Sequence, residues 1–320
     1  MNFRKRENKR AFTIVELLTV MSIITILIGL LVPGLNRVRK FARNVRQKAQ
    51  FHSIEVGLDM FYTEMQEYPE SDAMDSLDKK YCGAMKLAEA MMGQDLLGFH
   101  PDSVFRLDGF DATGNNDLYP PSTIGTQAYV MNLRSRMEVG LQLENANAYR
   151  IGNVYDKNVG KGWGLFTGEE LVLCDVYSKN VHKDFTVGSN TYSGTGKKIG
   201  MPILYYRAHE SRTIHDPNDA GGVAGVNMCI YNYQDNDDLV NLGMPWDPTY
   251  AHPINGAGGG TSDGGTADYE NFYAMILNEN ISDKNKPLSK KPYRSDSYIL
   301  ISAGFDGEYG TEDDIFNFDQ

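Results

Sequence analysis

The chain has 320 residues, of which 41% are hydrophobic, so it is long enough for one large domain or two small ones with buried cores. This composition excludes a wholly disordered chain. The 31 Lys and Arg residues against 42 Asp and Glu residues give a formal net charge of −11, which argues against a general nucleic-acid binder. The charge is uneven, because residues 1–49 contain eleven basic and two acidic residues and leave 20 basic and 40 acidic ones in the remainder.

The amino end contains the predicted membrane segment. Residues 17–36 carry no charge, and twenty helical residues reach roughly 30 Å, the thickness of the hydrocarbon core. A cleaved secretory signal would need small residues after the apolar run, but this run ends in Val32-Pro33-Gly34-Leu35. We therefore expect a retained anchor. Five Lys/Arg residues precede the segment and six follow it closely, so the positive-inside rule does not decide its orientation.

Glu16 is an acidic residue at the edge of this apolar run, and two interpretations of it are open. An ionised carboxylate that enters hydrocarbon is costly unless it is paired, so an acid at this depth indicates a function. Alternatively, Glu16 lies at the headgroup boundary and forms a capping box with Thr13 at the helix start.

Residues 9–17, Lys-Arg-Ala-Phe-Thr-Ile-Val-Glu-Leu, resemble the class III signal of type IV pilins and type II secretion pseudopilins. The resemblance implies cleavage between Ala11 and Phe12 by a membrane peptidase on the cytoplasmic side, followed by N-methylation of Phe12. The family usually has Gly at the position of Ala11. Counted from Phe12, Glu16 is the fifth residue, and the family context implies that it pairs with the terminal amine of Phe12 in a neighbouring subunit. Pro33 is the twenty-second residue, where the family also has a helix-kinking proline.

A helix is predicted from about Thr13 to Glu67, because apolar residues continue at three- and four-residue steps after the membrane segment. An isolated coiled coil is the alternative for its second half, but there are fewer than four clean heptads. Pro33 is expected to kink or locally melt the helix, and Pro69 to end it. Tyr68-Pro69 is similar to the turn that ends this helix in major pseudopilins. The residues that set the rhythm are Val38, Phe41, Ala42, Val45, Ala49, Ile54, Leu58, Phe61 and Met65.

The remainder is predicted to be a large α+β head. A short amphipathic helix is expected within 79–97, closed by Gly98, and the runs 171–174, 203–206 and 298–301 have the pattern of strands. Because the helices come first in the chain and the strands later, we expect an antiparallel sheet that packs against the stalk helix. The glycine-rich segment 256–265 has no following Lys-Ser/Thr, which argues against a phosphate-binding loop. The predicted organisation is a leader (1–11), a transmembrane helix (12–36), an amphipathic stalk helix (37–68) and the head (69–320).

The carboxyl end is a candidate calcium site. Residues 306–314 contain five carboxylates, with glycines at 304, 307 and 310. The carboxylates of such a loop repel one another unless a cation binds between them. Calcium takes six to eight oxygen ligands from flexible loops. The spacing is not that of an EF-hand, but it resembles the calcium-binding loop at the end of major pseudopilin heads. The alternative is a solvated acidic terminus. The resemblance implies side-chain ligands Asp306, Asp313 and Asp314, with Glu308 and the backbone of Phe305 and Thr311 as further ligands.

Other candidate sites are weaker. The segment 235–238, Asp-Asn-Asp-Asp, is a second possible cation loop, although such clusters are usually turns. His209 and His215 are six residues apart with no H-E-x-x-H motif, so surface histidines are expected. No G-x-S-x-G motif and no recognisable catalytic cysteine occurs, and no pair of acids is singled out for glycoside hydrolysis. The sequence leaves two possibilities for Cys82, Cys174 and Cys229: one disulfide with one free thiol, or three free thiols.

The sequence therefore favours a structural, non-enzymatic subunit of a type II secretion pseudopilus. It would be a single-pass inner-membrane protein with a cytoplasmic amino end and a periplasmic head. Its expected partners are copies of itself or related subunits, the prepilin peptidase, the secretion assembly platform and membrane lipid, and no nucleic acid. The alternatives are a minor type IV pilin used for adhesion, and a membrane-tethered enzyme or carbohydrate-binding protein.

Overall fold

The computed structural model describes residues 13–120, 127–141, 146–158, 160–187, 190–217, 228–255, 270–282 and 289–318, with backbone alone at 33, 128, 180–187 and 190–197. The predicted glycine-rich loop at 256–265 lies outside these ranges.

A single long helix, α1 (Ile14–Met65), opens the described chain. Its bounds confirm the predicted helix to within two residues. The helix continues through residue 33, so the predicted local melting at Pro33 is wrong. The first part of α1 is long and apolar enough to cross a membrane, and the side chains of its apolar window are exposed. Exposed apolar side chains along such a stretch suit contact with lipid.

The chain divides into two compact units, Met1–Val45 and Arg46–Gln320, so the division falls inside α1. Within the second unit, the last turns of α1 contribute Phe51, Ile54, Leu58 and Phe61 to the hydrophobic core, each at most 2% exposed. These four residues recur at steps of three and four, which places them on one helix face. The predicted periodicity therefore marks the buried face only from Ile54 onward, because the earlier residues of the rhythm, such as Val38, Phe41 and Val45, are exposed.

The second helix, α2 (Gly83–Met92), is buried along its whole length. It ends at Gly93, which has a φ of +72° and donates its N–H to the Glu89 carbonyl at 2.6 Å. A Cβ at Gly93 would lie 2.2 Å from the Gly98 carbonyl oxygen, so only glycine fits this stop. The predicted end at Gly98 is therefore wrong, because Gly93 already terminates the helix.

The strands form three small antiparallel sheets in the part of the chain that the structure describes. In chain order they are β1 (Ala148–Arg150), β2 (Leu171–Leu173), β3 (Lys179–Val187), β4 (Asn190–Ile199), β5 (Leu204–Arg207), β6 (Tyr298–Ser302) and β7 (Ile315–Phe316). The sheet orders are β1-β2, β3-β4 and β5-β6-β7. The α+β class and the three predicted strands are confirmed. The strands thus form separate small sheets where the sequence predicted one antiparallel sheet.

Short helices complete the described head. They are α3 (Gln127–Ser135), α4 (Ile151–Val154), α5 (Asp237–Val240) and α6 (Glu270–Ile276), with 3-10 turns at Tyr233–Asp235 and Pro253–Asn255. Apolar side chains of α2, α6, β2, β5 and β6 join those of α1 in one hydrophobic core.

All three cysteines are free thiols and buried. Of the two possibilities left by the sequence, the structure has three thiols. Burial raises the pKa of the Cys82 thiol to about 12, and a buried thiol with a raised pKa is a poor nucleophile.

Leu58→Ala tests the packing of α1 into the head. Leu58 is 0% exposed, and deleting such a side chain typically lowers the free energy of unfolding by about 2–5 kcal/mol. Leu77→Ala is the matched control, because Leu77 is 44% exposed and surface changes usually stay within about 0.5 kcal/mol. Denaturant unfolding of the full-length protein in detergent measures both, and equal effects would contradict the proposed packing.

Candidate functional sites

Thr13 and Glu16 form a capping box at the start of α1. The Thr13 N–H and hydroxyl donate to Glu16 Oε2 at 2.9 and 2.8 Å, and the Glu16 N–H donates to Thr13 Oγ1 at 3.2 Å. The capping interpretation is therefore confirmed as local geometry. Because the box uses Oε2 alone, Oε1 accepts no hydrogen bond from the described residues, and the exposed carboxylate keeps one oxygen for another partner.

The structure says less about Ala11, Phe12 and Pro33, the other residues predicted to act in processing and assembly. Ala11 and Phe12 lie outside the described residues, so cleavage and methylation at this bond remain predictions. Pro33 lies within α1, and its role in assembly also remains a prediction.

The carboxyl-terminal loop connects two adjacent antiparallel strands, β6 and β7. Gly304 and Gly310 have φ values of +64° and +97°, which side chains rarely adopt. A Cβ at Gly304 would lie 2.1 Å from the Asp313 carbonyl oxygen, and one at Gly310 would lie 2.2 Å from the Ile254 nitrogen. Gly304 therefore allows the loop to fold tightly on itself, and Gly310 allows it to approach the backbone of Ile254.

Asp306 and Asp313 converge inside this loop. Asp313 Oδ2 accepts the backbone N–H groups of Phe305 and Asp306 at 2.9 and 3.2 Å. The Thr311 hydroxyl oxygen lies 3.0 Å from both Asp306 Oδ2 and Asp313 Oδ1. Since a hydroxyl has one proton to donate, it serves only one of the two carboxylates at a time. Asp306 and Asp313 therefore face the same hydroxyl group, which can donate to only one of them.

Asp314 and Glu308 point to different partners. Asp314 Oδ2 accepts the Gly310 N–H at 2.8 Å, while its buried Oδ1 accepts no hydrogen bond from the described residues. Glu308 accepts a hydrogen bond from the Tyr250 hydroxyl. No three of the four predicted acidic ligands have ligand atoms within 4.8 Å of one another in the described structure. The structure thus brings Asp306 and Asp313 together and leaves Asp314 and Glu308 apart from them.

Burial disfavours negative charge in this loop. It raises the pKa of Asp314 to about 8, and burial together with the hydrogen bond to Asp313 raises the pKa of Asp306 to about 6. Burial also acts to raise the pKa of Asp313, but hydrogen bonds from Asp306, Thr311 and the backbone outweigh it and lower the pKa. A cation would relieve the mutual repulsion of these carboxylates.

A second cluster joins residues that the sequence did not group. One ligand atom from each of Asp72, His209 and Asp235 lies within 4.8 Å of the other two. Asp72 is exposed, His209 half-buried and Asp235 0% exposed. Burial raises the pKa of Asp235 well above its ordinary value and lowers the pKa of His209. The three residues are far apart in the chain, so no motif with fixed spacing could have found them.

The structure corrects one prediction about this region and agrees with the expectation that the segment 235–238 forms turns. His215 is not a surface residue: it is 3% exposed, because it packs against Tyr273, and its Nε2 lies 3.0 Å from the Tyr273 carbonyl oxygen. His209 is half-buried and lines a surface cavity.

The segment 235–238 is not one cation loop, because its side chains point to different partners. The Asn236 amide accepts the Ala84 N–H at 2.8 Å and donates to the Tyr205 carbonyl at 2.7 Å. Asp238 forms an ion pair with Lys80 at 2.5 Å. Asp235 alone faces the second cluster.

Glu89 is a third buried acid, and it is saturated with hydrogen bonds. It is 1% exposed and accepts bonds from four donors at 2.6 to 3.1 Å. Burial raises its pKa in spite of these bonds. Glu89 also lines a cavity of about 320 Å³ in the head. The four donors are Tyr81, Gln94, Ser103 and Tyr119.

Comparison with known proteins assigns the amino end. Residues 6–32 match the family model of the prokaryotic N-terminal methylation motif. No curated protein and no solved structure matches the chain. The match covers the segment that contains Ala11, Phe12 and Glu16 and ends within the apolar part of α1. The amino end of the chain therefore carries the methylation signal of type IV pilin-like proteins, followed by an apolar helix long enough to anchor it in a membrane; the signal implies processing by prepilin peptidase and pilin-type assembly into filaments.

Proposed function

We propose that this protein is a structural subunit of a type II secretion pseudopilus. The observation that carries the proposal is the combination of the methylation motif at residues 6–32 with a helix, α1, whose last turns belong to the core of the head. The tight acidic loop between β6 and β7 adds support, because it occupies the end of the chain where major pseudopilins have theirs. The amino end is cytoplasmic, and the head and the assembled filament lie in the periplasm.

A structural role is favoured over an enzymatic one by the state of the buried reactive groups. Glu89 has its carboxylate fully engaged by four donors, and the three thiols are buried. These groups are enclosed in the head, whereas a catalytic acid or nucleophile needs access to substrate. We therefore propose that the protein is not an enzyme and that its partners are filament subunits, prepilin peptidase, the assembly platform and membrane lipid.

Calcium binding is part of the proposal. Asp306 and Asp313 already face one position, and Asp314 has a buried oxygen without a hydrogen bond from the described residues. A hard cation would add Asp314 to this pair by a small rearrangement of the loop, and Glu308 would join if it left Tyr250. Flexible coordination by carboxylates and carbonyls is characteristic of calcium.

A deletion strain tests the secretion role against the alternatives. Loss of type II secretion with normal surface pili is the expected result. Loss of pili or adhesion with normal secretion would replace the proposal by a minor type IV pilin, for which the large head offers an extended surface. If both functions are normal, the proposal is wrong, and a tethered enzyme or carbohydrate-binding protein is the alternative that is left.

Processing gives a direct prediction for the amino terminus. The mature membrane-bound chain should begin with N-methyl-Phe12 and lack residues 1–11, as shown by mass spectrometry. Ala11→Leu should retain the leader, because the cut requires a small residue before it. Ala42→Leu makes the same exchange on an exposed part of α1 and should be processed normally. A mature chain that begins at Met1, or after Val32, would overturn the pilin-type assignment of the signal.

A further inference from the structure

Three parts of the head meet at the cluster formed by Asp72, His209 and Asp235. Asp72 follows the end of α1, His209 follows β5, and Asp235 closes the 3-10 turn before α5. His209 is held in place because its N–H donates to the Ile230 carbonyl at 2.9 Å and its own carbonyl accepts the Arg212 N–H at 2.9 Å. The cluster therefore lies on fixed backbone positions.

Ser71 fixes one oxygen of Asp235 and leaves the other for a ligand. The Ser71 hydroxyl donates to Asp235 Oδ2 at 2.5 Å and accepts the Arg207 N–H at 3.0 Å. The other oxygen, Oδ1, is buried and accepts no hydrogen bond from the residues that the structure describes. Buried polar atoms in native proteins almost always have a partner, so Asp235 Oδ1 indicates a missing one.

His209, like Asp235, has a buried polar atom without a hydrogen-bond partner among the described residues. This atom is its Nε2. Sharing a proton between the residues of the cluster does not remove the deficit, because no hydrogen bond connects His209 to Asp235 in the structure. One atom that bonds to both side chains would satisfy both.

We propose that Asp72, His209 and Asp235 form a binding site for a divalent transition-metal ion of the zinc class. An imidazole nitrogen with two carboxylate oxygens is a ligand set that zinc accepts, with bonds of about 2.0–2.2 Å. Magnesium and calcium prefer oxygen-only sites, so the histidine discriminates against them. The site is separate from the carboxyl-terminal acidic loop and does not depend on the proposed secretion role.

The exposure of the three ligands determines how the ion enters. Asp235 lies at the bottom of the site, whereas Asp72 and His209 line a surface cavity of about 380 Å³. Ligand atoms around a tetrahedral ion lie roughly 3.3–3.6 Å apart for bonds of this length, and the three ligand atoms, which lie within 4.8 Å of one another, have to reach this spacing when the ion binds. Asp72 can supply this movement because it is exposed. The bound ion would connect the turn after α1 to β5 and to the 3-10 turn.

Metal binding by the full-length protein in detergent tests the proposal. After chelation and buffer exchange, one equivalent of Zn²⁺ should bind in calorimetry and raise the melting temperature, with Co²⁺ giving the visible absorption of low-symmetry N/O coordination that Zn²⁺ abolishes. His209→Ala and Asp235→Asn should each weaken Zn²⁺ binding at least tenfold. Asp235→Asn retains an oxygen for the Ser71 hydroxyl, so it provides a variant with little change in packing.

His52→Ala is the matched control, because His52 is an exposed histidine on α1. It should leave Zn²⁺ affinity and the Co²⁺ spectrum unchanged. Absence of stoichiometric Zn²⁺ binding by the wild-type chain would overturn the proposal. Wild-type affinity in both His209→Ala and Asp235→Asn, or loss of binding in His52→Ala alone, would overturn it as well.

Discussion

Glu16→Ala should abolish cross-linked multimers while leaving membrane insertion and processing nearly intact. In an assembled filament, the Glu16 carboxylate would face the amino group of Phe12 in a neighbouring subunit. Removing one partner of a buried ion pair typically costs about 3–5 kcal/mol, because the other charge is left uncompensated. Insertion should not suffer, since alanine enters hydrocarbon more easily than a carboxylate. Cross-linking in membranes measures assembly, and mass spectrometry of the same fraction measures processing.

The capping box requires a control that separates charge from helix capping. Glu16→Gln keeps a side chain that suits the third position of a capping box but removes the charge, so it should fail to assemble as Glu16→Ala does. Thr13→Ala removes the hydroxyl that accepts the Glu16 N–H and keeps the charge, so it should still form multimers. The opposite pattern, with multimers in Glu16→Gln and none in Thr13→Ala, would show that Glu16 serves only to cap α1.

Local features of the fold were predictable from the sequence. The bounds of α1 followed from the periodicity of its apolar residues and from Pro69, because a repeat of three to four residues has one simple structural solution. The strands β2, β5 and β6 followed from short runs of apolar residues between turns. The end of α2 was misplaced by several residues, because the choice between Gly93 and Gly98 depends on which glycine must approach another backbone closely.

In the candidate sites, too, features that depend on neighbouring residues were predictable, and features that depend on residues far apart in the chain were not. The acidic loop was predictable as a turn, since its glycines and acids are neighbours in sequence. The direction of each carboxylate was not, because Glu308 accepts a hydrogen bond from Tyr250, which lies far from it in the chain. The cluster around Asp235 could not be predicted at all, since 137 residues separate Asp72 from His209 and only the packing of the head brings them together.

Calcium should raise the melting temperature of the full-length protein in detergent, and chelation should reverse the rise. A ligand that binds only the folded state stabilises it by RT ln(1 + [L]/Kd), roughly 2.7 kcal/mol at a hundredfold excess over Kd. Asp313→Ala should abolish the response, because it removes both a charge and the carboxylate that organises the loop through Phe305 and Asp306. Magnesium should substitute poorly, since it requires tight octahedral geometry and gives up water reluctantly.

Two controls assign this response to the acidic loop. Asp102→Ala removes an exposed acid elsewhere in the head and should keep the full calcium response. His209→Ala should also keep it, because the proposed zinc site shares no residue with the loop. If Asp313→Ala responds as strongly as the wild-type chain, calcium binds elsewhere. If the wild-type chain melts at the same temperature with calcium and with chelator, the loop is held together by the Thr311 and backbone hydrogen bonds alone, and the acidic loop does not bind calcium.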